Sequence, residues 1–245
     1  VKDFIGAYKV LLTAHKKGLG IISSAQRFAL SHEDALKLSQ NIENIFVDQK
    51  ELVIYPKDTQ TNIIEYIENL YKKNQYALLS LQSIQNRIKW ASLDFIDQSI
   101  YTLIEKKFII KEGNLFKKAD IKIDITKILE DKIVQRLKEE KFTPTAPYNI
   151  YDKLDIDRKL GDNILKSLCS KKIIKRLQHN LFIHNDNLME MVHLIDKIIQ
   201  EHEYIDLKLF KTYFEASRKY LTCYLDYYDT ISNISKIDDK RIKDK

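Results

Sequence analysis

Four stretches of about sixty residues run through one succession of patterns: an amphipathic helix, a short extended or rigid segment, a small helix, a second helix opened by a polar capping residue, and a hairpin. Such a repeat constrains the fold more than any single motif, because each copy must close a small core or lean on its neighbour. The units span 1–56, 57–120, 121–186 and 187–245. In the last, Leu207, Phe210 and Phe214 recur at helical spacing, and Glu215-Ala216 reads as a tight turn. Ser217 then stands where its hydroxyl can accept a first-turn amide of a second helix. That helix runs to about Thr230 with Leu221, Tyr224, Leu225 and Tyr228 on one face. Strands at Asn233–Ile237 and Arg241–Lys243 join at Asp238-Asp239. Helix, turn, helix and hairpin make a winged helix. The expected fold is helix-rich α+β: four tandem winged-helix modules forming an elongated arm.

The other units follow suit. The first has helices at Phe4–His15, Ser24–Phe28 and from Ser31 to about Asn44, a short strand at Gly18–Ile22, and a hairpin of 45–47 with 52–55 closed by Pro56. The second has helices at Ile63–Asn74, Leu81–Arg87 and Leu93–Lys106, then a hairpin of 108–112 with 115–118 turning on Gly113-Asn114. Trp90 is expected to plug a gap between modules. The third has a helix at Ile125–Lys141, and Thr143–Pro147 is a rigid connector in place of the first strand. A small helix at 148–154, a helix capped by Asp157 and a wing of 173–177 with 181–183 complete it.

Composition excludes several functions. Five Gly and three Pro in 245 residues argue against Gly-cradled nucleotide sites and long flexible linkers. No Gly-x-x-x-x-Gly-Lys-Ser/Thr loop occurs, so these residues do not hold GTP by that route. His179 and His184 lack neighbours at metal-ligand spacing, and no catalytic constellation is legible, so the expectation is a binding protein and not an enzyme. Cys169 and Cys223 sit in amphipathic helices and read as buried thiols of a reducing compartment. No apolar run is long enough to span a membrane and no signal sequence is seen. Val1 is not an initiator, which suggests a piece of a longer protein. The formal charge of +6 permits a nucleic-acid partner, although the abundance of Lys, Ile, Asn and Tyr also fits an AT-rich genome.

The second helix of each module opens differently: Ser31-His-Glu-Asp, Ser92-Leu-Asp-Phe, Asp157-Arg-Lys-Leu and Ser217-Arg-Lys-Tyr. The first two put acids at the positive helix end, as the macrodipole favours; the last two put Arg-Lys there, against it. Free amides with Arg and Lys at one helix end suit phosphate. The third and fourth modules are therefore expected to face anions, and the first two to be spacers or to face protein. The third has fourteen Lys and Arg against ten Asp and Glu, a net of +4. The fourth has ten against eleven, a net of −1, so its case rests on Arg218, Lys219, Lys240 and Arg241 converging.

Two stretches resemble the bacterial selenocysteine-specific elongation factor SelB. One is Ile205-Asp-Leu-Lys-Leu-Phe210, Ser217-Arg-Lys-Tyr220, Leu225-Asp-Tyr-Tyr-Asp229 and Asp239-Lys-Arg-Ile242, similar to that family's last winged helix. It departs at Glu215-Ala216 and at Asp238-Asp239, where Gly is usual, which implies a tighter or shorter wing. The other is Gly18-Leu-Gly-Ile-Ile-Ser-Ser24-Ala-Gln-Arg-Phe28 with Leu30-Ser-His-Glu33, similar to the segment that follows the family's GTPase and β-barrels.

The resemblance implies that the last module grips the loop of the selenocysteine insertion hairpin in mRNA. Ser217, Arg218, Lys219 and Tyr220 at the helix start, with Lys240 and Arg241 on the wing, would do this; Tyr220 could instead be core. Arg158, Lys159, Lys175 and Arg176 would follow the hairpin stem or ribosomal RNA, or form a solvated face. Tyr224, Tyr227 and Tyr228 read as packing. The resemblance also implies a monomeric, cytoplasmic arm that brings selenocysteinyl-tRNA to the ribosome. GTP and magnesium would be held by residues upstream, and the arm itself needs no cofactor. The rivals are a DNA-binding winged-helix regulator, which Asp226 and Asp229 count against, and a winged-helix protein scaffold, which the Arg-Lys starts count against.

Overall fold

The computed structural model describes residues 3–243, so the outermost two positions at each end of the repeat lie outside it. Small antiparallel sheets are set among helices, and the chain divides into two compact units between Ile123 and Asp124.

The first unit holds two successions: α1 (Phe4–Ala14), β1 (Leu19–Gly20), α2 (Ile21–Phe28), α3 (His32–Gln40), β2 (Ile45–Asp48), β3 (Val53–Pro56); then α4 (Lys57–Lys73), β4 (Leu79–Ser80), α5 (Leu81–Gln85), α6 (Leu93–Glu105), β5 (Ile109–Glu112), β6 (Leu115–Lys118). In both sheets the short strand pairs on the hairpin's second strand, giving β1-β3-β2 and β4-β6-β5. Tyr8, Ile21, Ala25, Ala35 and Ile54 close one core. Ile63, Ile67, Tyr71, Phe95 and Leu103 close the other.

Two helix starts differ from the sequence reading. α2 begins at Ile21 and not Ser24, because only Leu19 and Gly20 pair with the hairpin before the chain turns helical. Ser24 is buried inside α2, with its hydroxyl 2.8 Å from that of Tyr8. α4 begins at Lys57, six residues before Ile63, since Pro56 in extended geometry leads directly into the helix. Its first turn is polar, so apolar periodicity could not mark it. Trp90 sits at the junction of the two successions, as expected: its ring is 6.4 Å from that of Tyr55, whose hydroxyl donates to the Trp90 carbonyl.

The second unit comprises α7 (Ile125–Glu139), α8 (Pro147–Leu154), α9 (Arg158–Ser170), β7 (Ile174–Gln178), β8 (Leu181–His184), α10 (Asn185–His202), α11 (Leu207–Tyr213), α12 (Arg218–Ile231), β9 (Ile234–Ile237) and β10 (Lys240–Lys243). Both hairpins are two-stranded. Thr143–Ala146 stays irregular and Pro147 takes the first helical position of α8, where its missing N–H costs nothing. Ile205 supplies a lone bridge to Arg241, exchanging both backbone hydrogen bonds at 2.8 and 2.9 Å. The wing is not shortened: β9 and β10 pair over four residue pairs, and Asp238 adopts φ 54° in the place of the usual glycine. Aspartate tolerates that left-handed geometry better than most side chains.

The two modules of this unit are laced through the connector after α7. The Tyr224 and Tyr220 hydroxyls on α12 donate to the carbonyls of Phe142 (2.7 Å) and Pro144 (3.1 Å). The Asn187 amide donates to the carbonyls of Leu137, Lys138 and Lys141, closing the C-terminal end of α7. Tyr224→Phe should cost about 1–2 kcal/mol by stranding the Phe142 acceptor, which chemical denaturation would read as a lower midpoint.

Glu140 holds the connector. Its carboxylate accepts from the Thr145 amide (2.6 Å), the Thr145 hydroxyl (2.7 Å) and Arg136 (2.5 Å). Burial alone would raise its pKa, but these donors outweigh burial and hold it below the usual carboxylate range. Its stabilisation is therefore present above the ordinary glutamate value and is lost as pH falls through the lowered one. Glu140→Gln should lose about 1–2 kcal/mol at neutral pH. It should also lose less stability on acidification than the parent, in urea titrations at neutral and acid pH.

Candidate nucleic-acid interface

The four helix starts are not equivalent. At α3 the Ser31 hydroxyl accepts the Asp34 amide (3.1 Å) and donates to the Asp34 carboxylate (2.7 Å), so the capping is self-contained. At α6 the Ser92 hydroxyl accepts the Phe95 amide, while the Ser92 amide donates to the Tyr55 hydroxyl at 3.0 Å. Tyr55 and Phe46, both on the first module's hairpin, stack on Phe95 at 4.4 and 5.0 Å, and Lys50 pairs with Asp94 at 2.9 Å. The second module's helix start is thus covered by the first module's wing, a protein-facing arrangement.

At α9 the buried Asp157 carboxylate accepts the Leu160 amide at 3.1 Å. The positive helix end of the third module already carries an anion of its own. Here the Arg-Lys pair sits differently from the sequence reading: Arg158 lies 4.8 Å over the Tyr148 ring and 3.9 Å from Asp152, and Lys159 is exposed.

At α12 Ser217 occupies the capping position but its side chain makes no capping hydrogen bond, contrary to the role assigned to its hydroxyl. α12 is preceded by neither a capping hydroxyl nor a capping carboxylate, and Arg218 and Lys219 stand exposed on its first turn. Arg218 makes no ion pair among the described residues. It lines a cleft of about 520 Å³ between the start of α11 and the wing, together with Lys208, Lys236, Arg241 and the carboxylates of Asp206, Asp238 and Asp239.

The remaining sequence-derived residues divide. Tyr220 is half-buried against the module core and its hydroxyl is spent on Pro144. Lys219 reaches 5.9 Å over the Tyr220 ring, and the exposed Lys240 lies 4.2 Å over the Tyr204 ring. Arg241 is held: Nε donates to both oxygens of Asp229 (2.8 and 3.1 Å), and one terminal nitrogen lies 3.4 Å from Asp226. Lys236, opposite Arg241 in the hairpin register, shares Asp229 at 2.6 Å. In the third module Lys175 lies 5.5 Å over the Tyr227 ring of α12, and Arg176 lies over Phe182.

Lys208 and Lys236 were missed by sequence reasoning. The signal for Lys236 was available, because a two-residue turn at Asp238-Asp239 puts it directly across from Arg241. Lys208 lies within the quoted run Ile205–Phe210, two residues past the cap Asp206. Among the described residues no His, Cys, Asp and Glu group is arranged to hold a metal, and no helix is long and apolar enough to cross a membrane.

The fold defines a class, that of proteins built from tandem winged helices. Residues 197–242 match the family model described as elongation factor SelB, winged helix. The match lies within the fourth module and covers about a fifth of the chain. The mRNA-binding domain of elongation factor SelB from E. coli, solved in complex with SECIS RNA, is similar at 18% identity over 49% of this chain and 97% of that one, with a TM-score of 0.43. A bacterial selenocysteine-specific elongation factor, EF-Sec, is similar at 16% identity over 86% of this chain, with a TM-score of 0.38. This chain spans 33% of its length. No curated protein matches this chain significantly in sequence.

Proposed function

We propose that the chain is the RNA-binding arm of a selenocysteine-specific elongation factor, and that its fourth module grips the selenocysteine insertion hairpin of an mRNA. The observation that carries this is the start of α12, where Arg218 and Lys219 flank an uncapped helix end beside a cleft of mixed charge, within the residues that match the SelB winged helix. An RNA duplex has a major groove too narrow for a helix, so a winged helix meets RNA through phosphates and through loop bases splayed from the stack. The first-turn amides, Arg218 and Lys219 would hold phosphates. Lys240 on the wing would hold the opposite strand.

In this reading the arm acts by tethering. Holding the factor to a hairpin beside a UGA codon raises its local concentration at one ribosome. GTP, magnesium and selenocysteinyl-tRNA would be bound by other domains of the full factor, and the arm itself would work as a cytoplasmic monomer that catalyses nothing. The third-module cations Arg158, Lys159, Lys175 and Arg176 would give secondary contacts, with Lys175 partly committed to Tyr227.

The test is binding of the chain to the hairpin that follows an in-frame UGA in the same genome, against a loop-scrambled hairpin and duplex DNA. Preference for the native loop supports the reading. Equal binding to all three would reduce the site to a general phosphate grip.

A further inference from the structure

The third module carries a second cleft, of about 460 Å³, which runs along the middle and end of α9, whereas the fourth-module cleft meets α12 at its first residue. Each lies between the start of the small helix, the following helix and the hairpin. Here the walls are Tyr148 from α8, Lys166 and Cys169 from α9, and Arg176, His179 and Phe182 from the wing. The volume is that of a small-ligand pocket, which runs from roughly 300 to 1,000 Å³.

Its chemistry differs from that of the fourth-module cleft. Three carboxylates line the latter, whereas Asp162 is the one carboxylate here and already accepts the Tyr151 hydroxyl at 3.1 Å. Two guanidinium planes are held over aromatic rings. Arg158 lies 4.8 Å over Tyr148, and Arg176 lies 5.7 Å over Phe182, anchored by the carbonyls of Gln178 and His179, each at 3.3 Å. Tyr148 is 41% exposed, high for so large a ring. Aromatic faces flanked by guanidinium groups bind unstacked bases, and the lysine and arginine charges hold the adjoining phosphates. The module's net charge of +4 favours the same ligand.

We propose that this cleft receives one unpaired nucleobase of a single-stranded RNA segment, stacked on Tyr148, with Lys166 and Arg176 on its phosphates. The proposal rests on the reading that the chain binds RNA, and it gives the third module a base-binding role beyond phosphate contacts.

The test uses the full chain and a fluorescein-labelled single-stranded oligoribonucleotide of mixed sequence that forms no hairpin. Tyr148→Ala should weaken binding about tenfold, the effect of losing one stacked base, while Tyr148→Phe keeps the stack and the affinity. Arg176→Ala should also weaken it. Tyr101→Ala, which removes an exposed aromatic ring from α6 of the first unit, should leave it within about twofold. Alkylation of Cys169, half-buried on the cleft wall, should slow when the oligonucleotide is bound, while that of the buried Cys223 should not change. Parent-like binding by folded Tyr148→Ala, or an equal loss of single-strand binding in Tyr101→Ala, overturns the proposal. Single-strand binding that depends on Tyr148, without hairpin preference, overturns the elongation-factor reading and leaves this one standing.

Discussion

Replacing Arg218 and Lys219 together by alanine is expected to weaken binding of the native hairpin about tenfold or more, with folding unchanged. Both side chains are exposed, neither packs into the core, and Arg218 has no carboxylate partner among the described residues, so their removal strands nothing. Both also oppose the dipole of α12, a placement that costs roughly 0.3–1 kcal/mol each where no anion is near. The double variant should therefore be as stable as the parent or slightly more so, while binding fails. A salt titration separates the cause: each lost phosphate contact flattens the logarithmic slope by about 0.7 to 0.9. A variant that loses affinity with an unchanged slope would mean that the cations do not touch phosphate. A variant that binds as well as the parent would remove the fourth module's helix start from the interface.

Local chemistry made much of this architecture legible. Ser31, Ser92 and Asp157 each precede a helix and each accepts an amide of its first turn, a relation confined to four consecutive residues. Gly113-Asn114 and Asp238-Asp239 marked hairpin turns for the same reason. The repeat itself was visible because each module renews the same short-range signals. Partners remote in the chain were not visible. Tyr220 ends on Pro144, 76 positions away, so its hydroxyl could not be assigned from Ser217-Arg-Lys-Tyr alone. The cover over the α6 start comes from Phe46 and Tyr55, in a different module. The net charge of −1 in the fourth module hid a sorting of charge: Asp226 and Asp229 are taken up by wing cations, while Arg218 and Lys208 face the cleft and form no ion pair among the described residues. Asp226 and Asp229 count against a helix laid along a DNA groove, and they are also what braces the wing.

That bracing separates two residues that the sequence treats as neighbours with one role. Arg241→Ala should destabilise the second unit by about 2–3 kcal/mol, below the 3–5 kcal/mol typical when a fully buried ion pair is broken. The Arg241 and Asp229 side chains are 13% and 15% exposed, so most of the desolvation penalty of an unpaired Asp229 would be felt. Lys236 remains 2.6 Å from Asp229, which is why the loss falls short of the full figure. Since the backbone of Arg241 also bridges Ile205, loosening its side chain should fray the wing and the segment before α11 together. Lys240→Ala, one residue earlier, removes an exposed ammonium lying over Tyr204 and should leave the unfolding midpoint within experimental error. Its effect should appear in hairpin affinity, as a smaller change than that of the Arg218-Lys219 pair and with its own reduction in salt slope. Arg241→Ala should weaken the hairpin complex only to the extent that the wing is frayed, so lowering the temperature or adding a stabilising osmolyte should restore binding to Arg241→Ala and not to Lys240→Ala. If Arg241→Ala keeps its stability and loses binding outright, its guanidinium leaves Asp229 for the RNA, and the ion pair is a resting state that the hairpin displaces.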